Sequence, residues 1–226
     1  MTMPRNWLTR IAAAALLVAA GLAVGAALPG PGDNPDERAP DKAAPADPPA
    51  GDLLIASAHI ADPRFFHTVI LLLKHDATGA FGIVINRPIE EKSIASLLAA
   101  AKDAKPGHRG DDSGVDGNIR VFAGGPVQRE RGFVVHTPDY ERDATITAGP
   151  IVSMTPTTEA LRDIGHHKGP AKYFFALGYA GWGPGQLEAE IEHHDWFSTP
   201  ADEALIFDDD RGDLWKHALE RRTRDL

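Results

Sequence analysis

Two glycine-rich stretches, each with a polar or aromatic residue close by, are where this chain has the means to do chemistry. Gly178-Tyr179-Ala180-Gly181-Trp182-Gly183-Pro184-Gly185 follows the apolar run Ala171–Leu177 and precedes a helical stretch at Gln186–His193. Backbone N–H groups at such a strand-to-helix turn can cradle an anion, and an aromatic held among glycines offers a stacking face. Gly181, Trp182, Gly183 and Gln186 are therefore candidate ligand contacts. The glycine spacing is not the dinucleotide fingerprint G-x-G-x-x-G, and no P-loop Lys-Ser/Thr follows, so no particular ligand is indicated. The same residues also fit a tight crossover in which glycine lets backbones pass and Trp182 packs as a lid. Gly124-Gly125-Pro126 is the second stretch, with Arg131 five residues beyond the proline. If the two loops face each other, Arg131 is placed to grip a carboxylate or phosphate through two N–H groups; its plainer role is a surface salt bridge. Asn86-Arg87-Pro88 closes another strand. Asn86 and Arg87 join the candidate ligand contacts there, or else Asn86 serves turn backbone and Arg87 sits in solvent.

No catalytic residue can be assigned. His136, at a strand end, is the best single acid–base candidate by residue type, and a turn-stabilising hydrogen bond is its other reading. Of the ten histidines, His166-His167 and His193-His194 are adjacent pairs whose members point apart, so neither pair chelates one ion. Glu190 and His194 lie four apart on a helix face, but no HExxH is present and no metal site is expected. There is no G-x-S-x-G elbow. The runs Glu90-Glu91 and Asp208-Asp209-Asp210 read as solvated charge. With no cysteine in the chain, disulfides, thiol nucleophiles and Cys-ligated metals are all excluded. No cofactor motif is present.

The elements that must position these residues follow from the hydrophobic pattern. Asp52–Ala56, Thr68–Leu73, Ala80–Ile85, Asn118–Ala123, Gly132–His136, Ala171–Leu177 and Leu205–Phe207 read as strands. The continuously apolar Thr68–Leu73 suits a strand covered on both faces, turning through His75–Gly79 into its hairpin partner. Ser93 is placed to cap a helix carrying Ile94, Leu97, Leu98 and Ala101. Thr155-Pro156 opens a second helix ending at Gly165, Gln186–His193 forms a third, and Leu214, Trp215, Ala218 and Leu219 line a terminal amphipathic one. Lys102–Asn118 is a Gly/Asp-rich loop. Strands and helices mix without a regular βαβ series, which indicates an α+β (mixed α/β) class.

Ile11–Leu28 runs eighteen residues without a charge, behind Arg5 and Arg10. That length just crosses a bilayer's hydrocarbon core, with the arginines holding the N-terminal end in the cytoplasm. Residues 1–28 thus read as a signal peptide or a membrane anchor, 29–50 as a Pro/Ala/Asp-rich disordered linker, and 51–226 as one domain. An exported location follows, periplasmic or anchored in the inner membrane through residues 11–28 if these are uncleaved. The net charge of −9 disfavours DNA and favours solubility or cationic partners.

Four stretches carry a resemblance. Asp62-Pro63-Arg64-Phe65 with His75–Pro88 (HDATGAFGIVINRP), Gly124-Gly125-Pro126-Val127, Arg131–His136 (RGFVVH) and Ala176–Glu188 (ALGYAGWGPGQLE) together resemble the YqgE/AlgH family of bacterial proteins, across essentially the whole of 51–226. The resemblance implies a bifurcated mixed sheet curling into a partial barrel with flanking helices. It also implies a mostly cytoplasmic family without a settled activity, one branch of which is labelled a transcriptional regulator. This chain departs from the pattern at Ala58, where the family usually has Pro, and in its N-terminal extension. The reading that results is an exported or tethered module binding an unknown small anionic ligand or a protein partner. The alternatives are a hydrolase using His136 with Asn86 and Arg131, and the regulator that the family label implies.

Overall fold

The computed structural model describes residues 47–104, 111–208 and 211–222. The apolar run 11–28 and most of the linker lie outside the described residues, as does part of the expected 102–118 loop.

Alternation along the strands explains how the sheet separates its cores. In β1 (Leu53–Ala56), β2 (Val69–Asp76) and β3 (Gly79–Val84), the residues Leu53, Ile55, Val69, Leu71, Leu73, Phe81 and Ile83 share one core with Phe133, Phe174 and Tyr179. Their neighbours Leu54, Ala56, Ile70, Leu72, Ala80 and Val84 face the other way, onto Trp182, Leu187 and Trp196. Period-two alternation with both faces covered is why the β2 sequence has no polar position before Lys74. The β2–β3 hairpin pairs Asp76 with Gly79 and slips register between Leu72 and Lys74.

The remaining strands are β4 (Pro88–Ser93), β5 (Asn118–Ala123), β6 (Val127–His136), β7 (Ile146–Ala148), β8 (Val152–Thr155), β9 (Tyr173–Trp182) and β10 (Trp196–Thr199). The order runs β10-β1-β2-β3-β9-β6-β8-β7, with β4 and β5 as a side branch attached to β9. One edge of β9 is shared, since Phe175–Leu177 pair with β5 in parallel and Ala180–Trp182 pair with β3 antiparallel. The sheet therefore forks at Gly178-Tyr179. It curls until Gly51 lies against Ala148 of β7, without closing. The α+β class and the forked partial barrel both match the expectation.

Among the described residues five α-helices flank the sheet: α1 (Ile94–Ala104), α2 (Thr158–Gly165), α3 (Gln186–Glu192), α4 (Glu203–Phe207) and α5 (Leu214–Arg222). Ser93 caps α1 as expected, its Oγ accepting from the Ser96 N–H at 3.2 Å. Ile94 and Leu98 of α1 pack with Leu161 and Ile164 of α2 over Val121, Val134 and Phe175. Ile206, Phe207, Leu214 and Ala218 from α4 and α5 pack into the barrel interior.

Three local readings are corrected. Leu205–Phe207 is helix, because Asp202 accepts from the Leu205 N–H at 2.8 Å and nucleates a turn there. Thr155 ends β8, so Pro156 precedes α2 instead of opening it. The stretch Gly178–Trp182 is not a loop but the second half of β9.

Candidate functional site

Asn86 and Arg87 turn inward to the chain, onto the segment 66–69. The Asn86 Oδ1 accepts from the Val69 N–H and its Nδ2 donates to the His67 carbonyl, both at 2.9 Å. Arg87 donates from one guanidinium nitrogen to the Phe66 carbonyl at 2.7 Å and to Thr68 Oγ1 at 3.1 Å. Arg87 is exposed, yet it is a clamp and not a solvated end. The clamped segment begins at a single 3-10 turn, Pro63–Phe65, capped by Asp62, whose carboxylate also grips Arg64 at 2.6 Å.

The two glycine stretches meet at the fork. Val84 donates to the Gly124 carbonyl at 2.8 Å, and Gly124 donates to the Leu177 carbonyl at 2.7 Å. A Cβ on Gly125 would stand 2.1 Å from the Tyr179 carbonyl carbon, and one on Gly124 would stand 2.4 Å from the Gly178 oxygen. Glycine is required here because backbone crosses backbone without room for a methyl group. Opposite, β6 runs five residues from Val127 to Gly132 while β9 goes only from Tyr179 to Leu177. Gln128, with φ 47°, starts this bulge, which carries Arg131.

Arg131 ends beside Tyr179. Its guanidinium carbon lies 5.6 Å from the centre of the Phe133 ring, and it donates to Gln128 Oε1 at 3.3 Å. Burial lowers its pKa, against the pull of Tyr179 and Glu130. Tyr179 is wholly buried, 5.0 Å ring to ring from Phe81, and among the described residues its hydroxyl has no hydrogen-bond partner. Burial raises the phenol's pKa, and the positive charge of Arg131 opposes that rise.

Gly181, Trp182, Gly183 and Gln186 belong to a separate cluster at α3. Trp182 is buried, and its Nε1 donates to Glu190 Oε2 at 2.8 Å. Gln186 accepts from the Gly183 N–H at 3.1 Å and donates to Glu190 Oε1 at 2.9 Å. Gly181 pairs with Phe81 in the β3–β9 ladder. All four serve the internal packing of the crossover.

His136 is 0% exposed. Its Nδ1 bonds the Thr137 carbonyl at 2.7 Å, so that nitrogen carries the proton, and Nε2 accepts from Thr155 Oγ1 at 2.9 Å. Thr155 in turn accepts from Thr145 Oγ1 at 2.7 Å, which accepts from the Arg142 N–H at 2.8 Å. Burial lowers the His136 pKa despite the Thr137 carbonyl and the charge of Asp139. It is a neutral imidazole at the end of a closed chain of hydrogen bonds, with both nitrogens occupied.

Position along β9 separates these groups. His136 pairs with Tyr173 and Ala80 pairs with Trp182, at opposite ends of the strand. At about 3.3 Å per residue, His136 and Trp182 lie roughly 25–30 Å apart. The structure brings Gly124, Gly125 and Arg131 together at Tyr179; the Arg87 carbonyl accepts from the neighbouring Ala123 N–H at 2.9 Å, but the Asn86 and Arg87 side chains face residues 66–69, and the Trp182 cluster and His136 lie elsewhere. No His136–Asn86–Arg131 set is assembled. Among the described residues no group of three His, Asp or Glu could hold a metal ion, and no helix is long and apolar enough to cross a membrane. Sequence reasoning passed over Tyr179, although it lies inside the glycine motif, and over Glu190, which had drawn notice only as a partner of His194.

The AlgH-like family model matches residues 53–226. The chain belongs to the AlgH-like family. Among curated relatives, a UPF0301 protein of Cereibacter sphaeroides is 41% identical over 171 residues, covering 75% of this chain and 89% of its own length. A UPF0301 protein of Caulobacter vibrioides is 41% identical over 178 residues, covering 76% and 85%. The solution structure of the AlgH protein from Pseudomonas aeruginosa superposes with a TM-score of 0.62 at 36% identity, covering 77% of this chain and 88% of that one. A crystal structure of protein DIP2367 from Corynebacterium diphtheriae gives 0.60 at 21% identity over 77% and 87%, a likeness of fold alone. The family assignment thus agrees with the motif resemblance, and the AlgH-like match begins at the first strand.

Proposed function

We propose that this AlgH-like chain is an exported, non-catalytic module that binds a small carboxylate or phosphate at the sheet fork. Arg131 and Tyr179 supply the polar contacts, beside the Gly124-Gly125 crossing. The observation that carries this reading is the buried Tyr179 hydroxyl, without a hydrogen-bond partner among the described residues, next to a partly desolvated guanidinium. An unpaired buried hydroxyl costs about 1–3 kcal/mol, so such a group marks a place for a polar occupant. Arginine adds the planar donor set that carboxylates and phosphates fit. Against a catalytic role, the best acid–base candidate has both nitrogens in internal hydrogen bonds. Export rests on the uncharged run Ile11–Leu28 behind Arg5 and Arg10. The net charge of −9 argues against DNA as the partner.

The binding test is calorimetric titration of inorganic phosphate and acetate into the full chain, its Tyr179→Phe variant and its Arg131→Gln variant. The reading expects saturable binding that each substitution weakens. It fails if neither anion binds, or if Tyr179→Phe binds both like the parent. Location is tested separately by joining alkaline phosphatase after residue 50. Phosphatase activity supports export, and its absence returns the domain to the cytoplasm.

A further inference from the structure

Three rings stack on the surface beside the Asn86–Arg87 clamp. His67 lies 3.9 Å ring to ring from Phe66, with planes 24° apart, and 4.0 Å from Trp215, with planes 31° apart. Phe66 ends the stack and is 49% exposed, a large apolar ring left in water. Everything beneath it is fixed. Trp215 Nε1 donates to the Ala56 carbonyl at 2.8 Å. The Phe66 and His67 carbonyls are held by Arg87 and Asn86. His67 itself is kept at φ 52°, a left-handed conformation that costs a non-glycine residue free energy. Two of the recognised motifs, Asp62–Phe65 and Asn86–Pro88, thus converge on displaying one phenyl face.

The geometry points to a second binding site here, for a planar heteroaromatic anion of the nucleoside monophosphate class. Its base would lie on the outer face of Phe66 and its phosphate against Arg87. A ring already immobilised by a stack loses little conformational entropy on capturing another ring, so the surface is pre-organised for stacking. The charge beside it has the matching sign. Arg87 is exposed, and its bonds to the Phe66 carbonyl and Thr68 leave from one guanidinium nitrogen, so the cation sits within one residue of the stacking face. Arg64, by contrast, is tied to Asp62. One guanidinium suits one phosphate group. A polynucleotide would bring a row of phosphates against a chain of net charge −9. The inference does not depend on anion binding at Tyr179.

The test is calorimetry on the full chain with adenosine monophosphate, adenosine and inorganic phosphate, repeated on Phe66→Ala, Phe66→Tyr and Tyr179→Phe. Adenosine monophosphate is expected to bind more tightly than adenosine, and more weakly as salt rises. Phe66→Ala should weaken it about tenfold or more, the scale of a lost base–aromatic stack, while Phe66→Tyr retains it. Tyr179→Phe should leave it unchanged, which separates this site from the fork. Because Phe66 is half in water, the alanine variant should keep the parent's melting temperature. The proposal is overturned if adenosine monophosphate shows no binding at millimolar concentration, or if Phe66→Ala binds it like the parent. It is equally overturned if a tryptophan-bearing peptide binds this face and the nucleotide does not.

Discussion

Trp182 and Trp196 stand edge to face, ring centres 5.8 Å apart, and both donate their indole N–H at 2.8 Å to the same oxygen of Glu190. One carboxylate from α3 therefore fixes the ends of β9 and β10 together, while its second oxygen takes the Gln186 amide. Within the glycine-and-tryptophan motif, Gly181 and Trp182 lie in the ladder, and Trp182 and Gln186 both donate to this carboxylate.

Glu190→Ala strands both indole N–H groups in a packed environment. The expected loss is about 2–4 kcal/mol. Glu190→Gln should cost less, because an amide oxygen still accepts from the indoles even though its NH2 opposes Gln186. Thermal unfolding together with near-ultraviolet circular dichroism checks both, the latter through the tryptophan signal.

Gly125→Ala drives a methyl group into the Tyr179 backbone, at 2.1 Å from its carbonyl carbon. Neither backbone can yield without breaking the fork, so the cost should exceed the usual 1–3 kcal/mol of overpacking and leave little soluble protein. Gly185 is the control: its φ of 72° is left-handed, but nothing lies within 4 Å of an added Cβ. Gly185→Ala should fold and lose only about 1–2 kcal/mol from backbone strain. Soluble yield and denaturant midpoints distinguish the two.

His75 joins the start of the domain to α3. Its Nδ1 bonds the Pro48 carbonyl at 2.9 Å and its Nε2 bonds Glu188 at 3.0 Å. Burial disfavours the charged ring, but Pro48, Glu188 and the charge of Asp47 outweigh it and raise the pKa above 6.5. With the folded value above the unfolded one, the stabilisation is fully present below pH 6.5 and fades as pH rises through the folded pKa. The melting-temperature difference between the parent and His75→Gln should accordingly be large at pH 6 and shrink on the alkaline side.

Thr155→Val removes the hydroxyl that donates to His136 and leaves a buried imidazole nitrogen unpaired. A loss of about 1–3 kcal/mol is expected. The lowered His136 pKa gives the opposite pH behaviour to His75: its contribution is present above pH 6.5 and fades as pH falls toward the folded value. Unfolding curves of the variant between pH 5 and 8 check both the size and the sign.

Much of the fold was legible because apolar runs and turn residues sit where strands and hairpins begin. Asn118–Ala123 matches β5 residue for residue, and Leu53–Ala56, the β2–β3 hairpin, α1 and α5 match closely. Four strands went unread. β4 is exposed at every position but Lys92 and carries Pro, Glu and Lys, the composition of an edge. β7, β8 and β10 are three or four residues long, too short for a period to emerge. The glycines of β9 looked like a loop because their need arises from Gly124-Gly125, some fifty residues earlier in the chain. His136 looked available because sequence does not reveal that Thr155 and Thr137 close around it. The stack at Phe66 depends on Trp215, far away in sequence, and no local pattern announces it.

The strand that every arm of the sheet shares is the ninth of the ten among the described residues, and its edges come into existence only when Trp182 does. Until ribosomal synthesis reaches that point, β1–β3, β4–β5 and β6–β8 have no common seam to zip onto, which makes assembly a late, non-local event. A fragment that stops short of β9 therefore holds three pieces of sheet with nothing to join them.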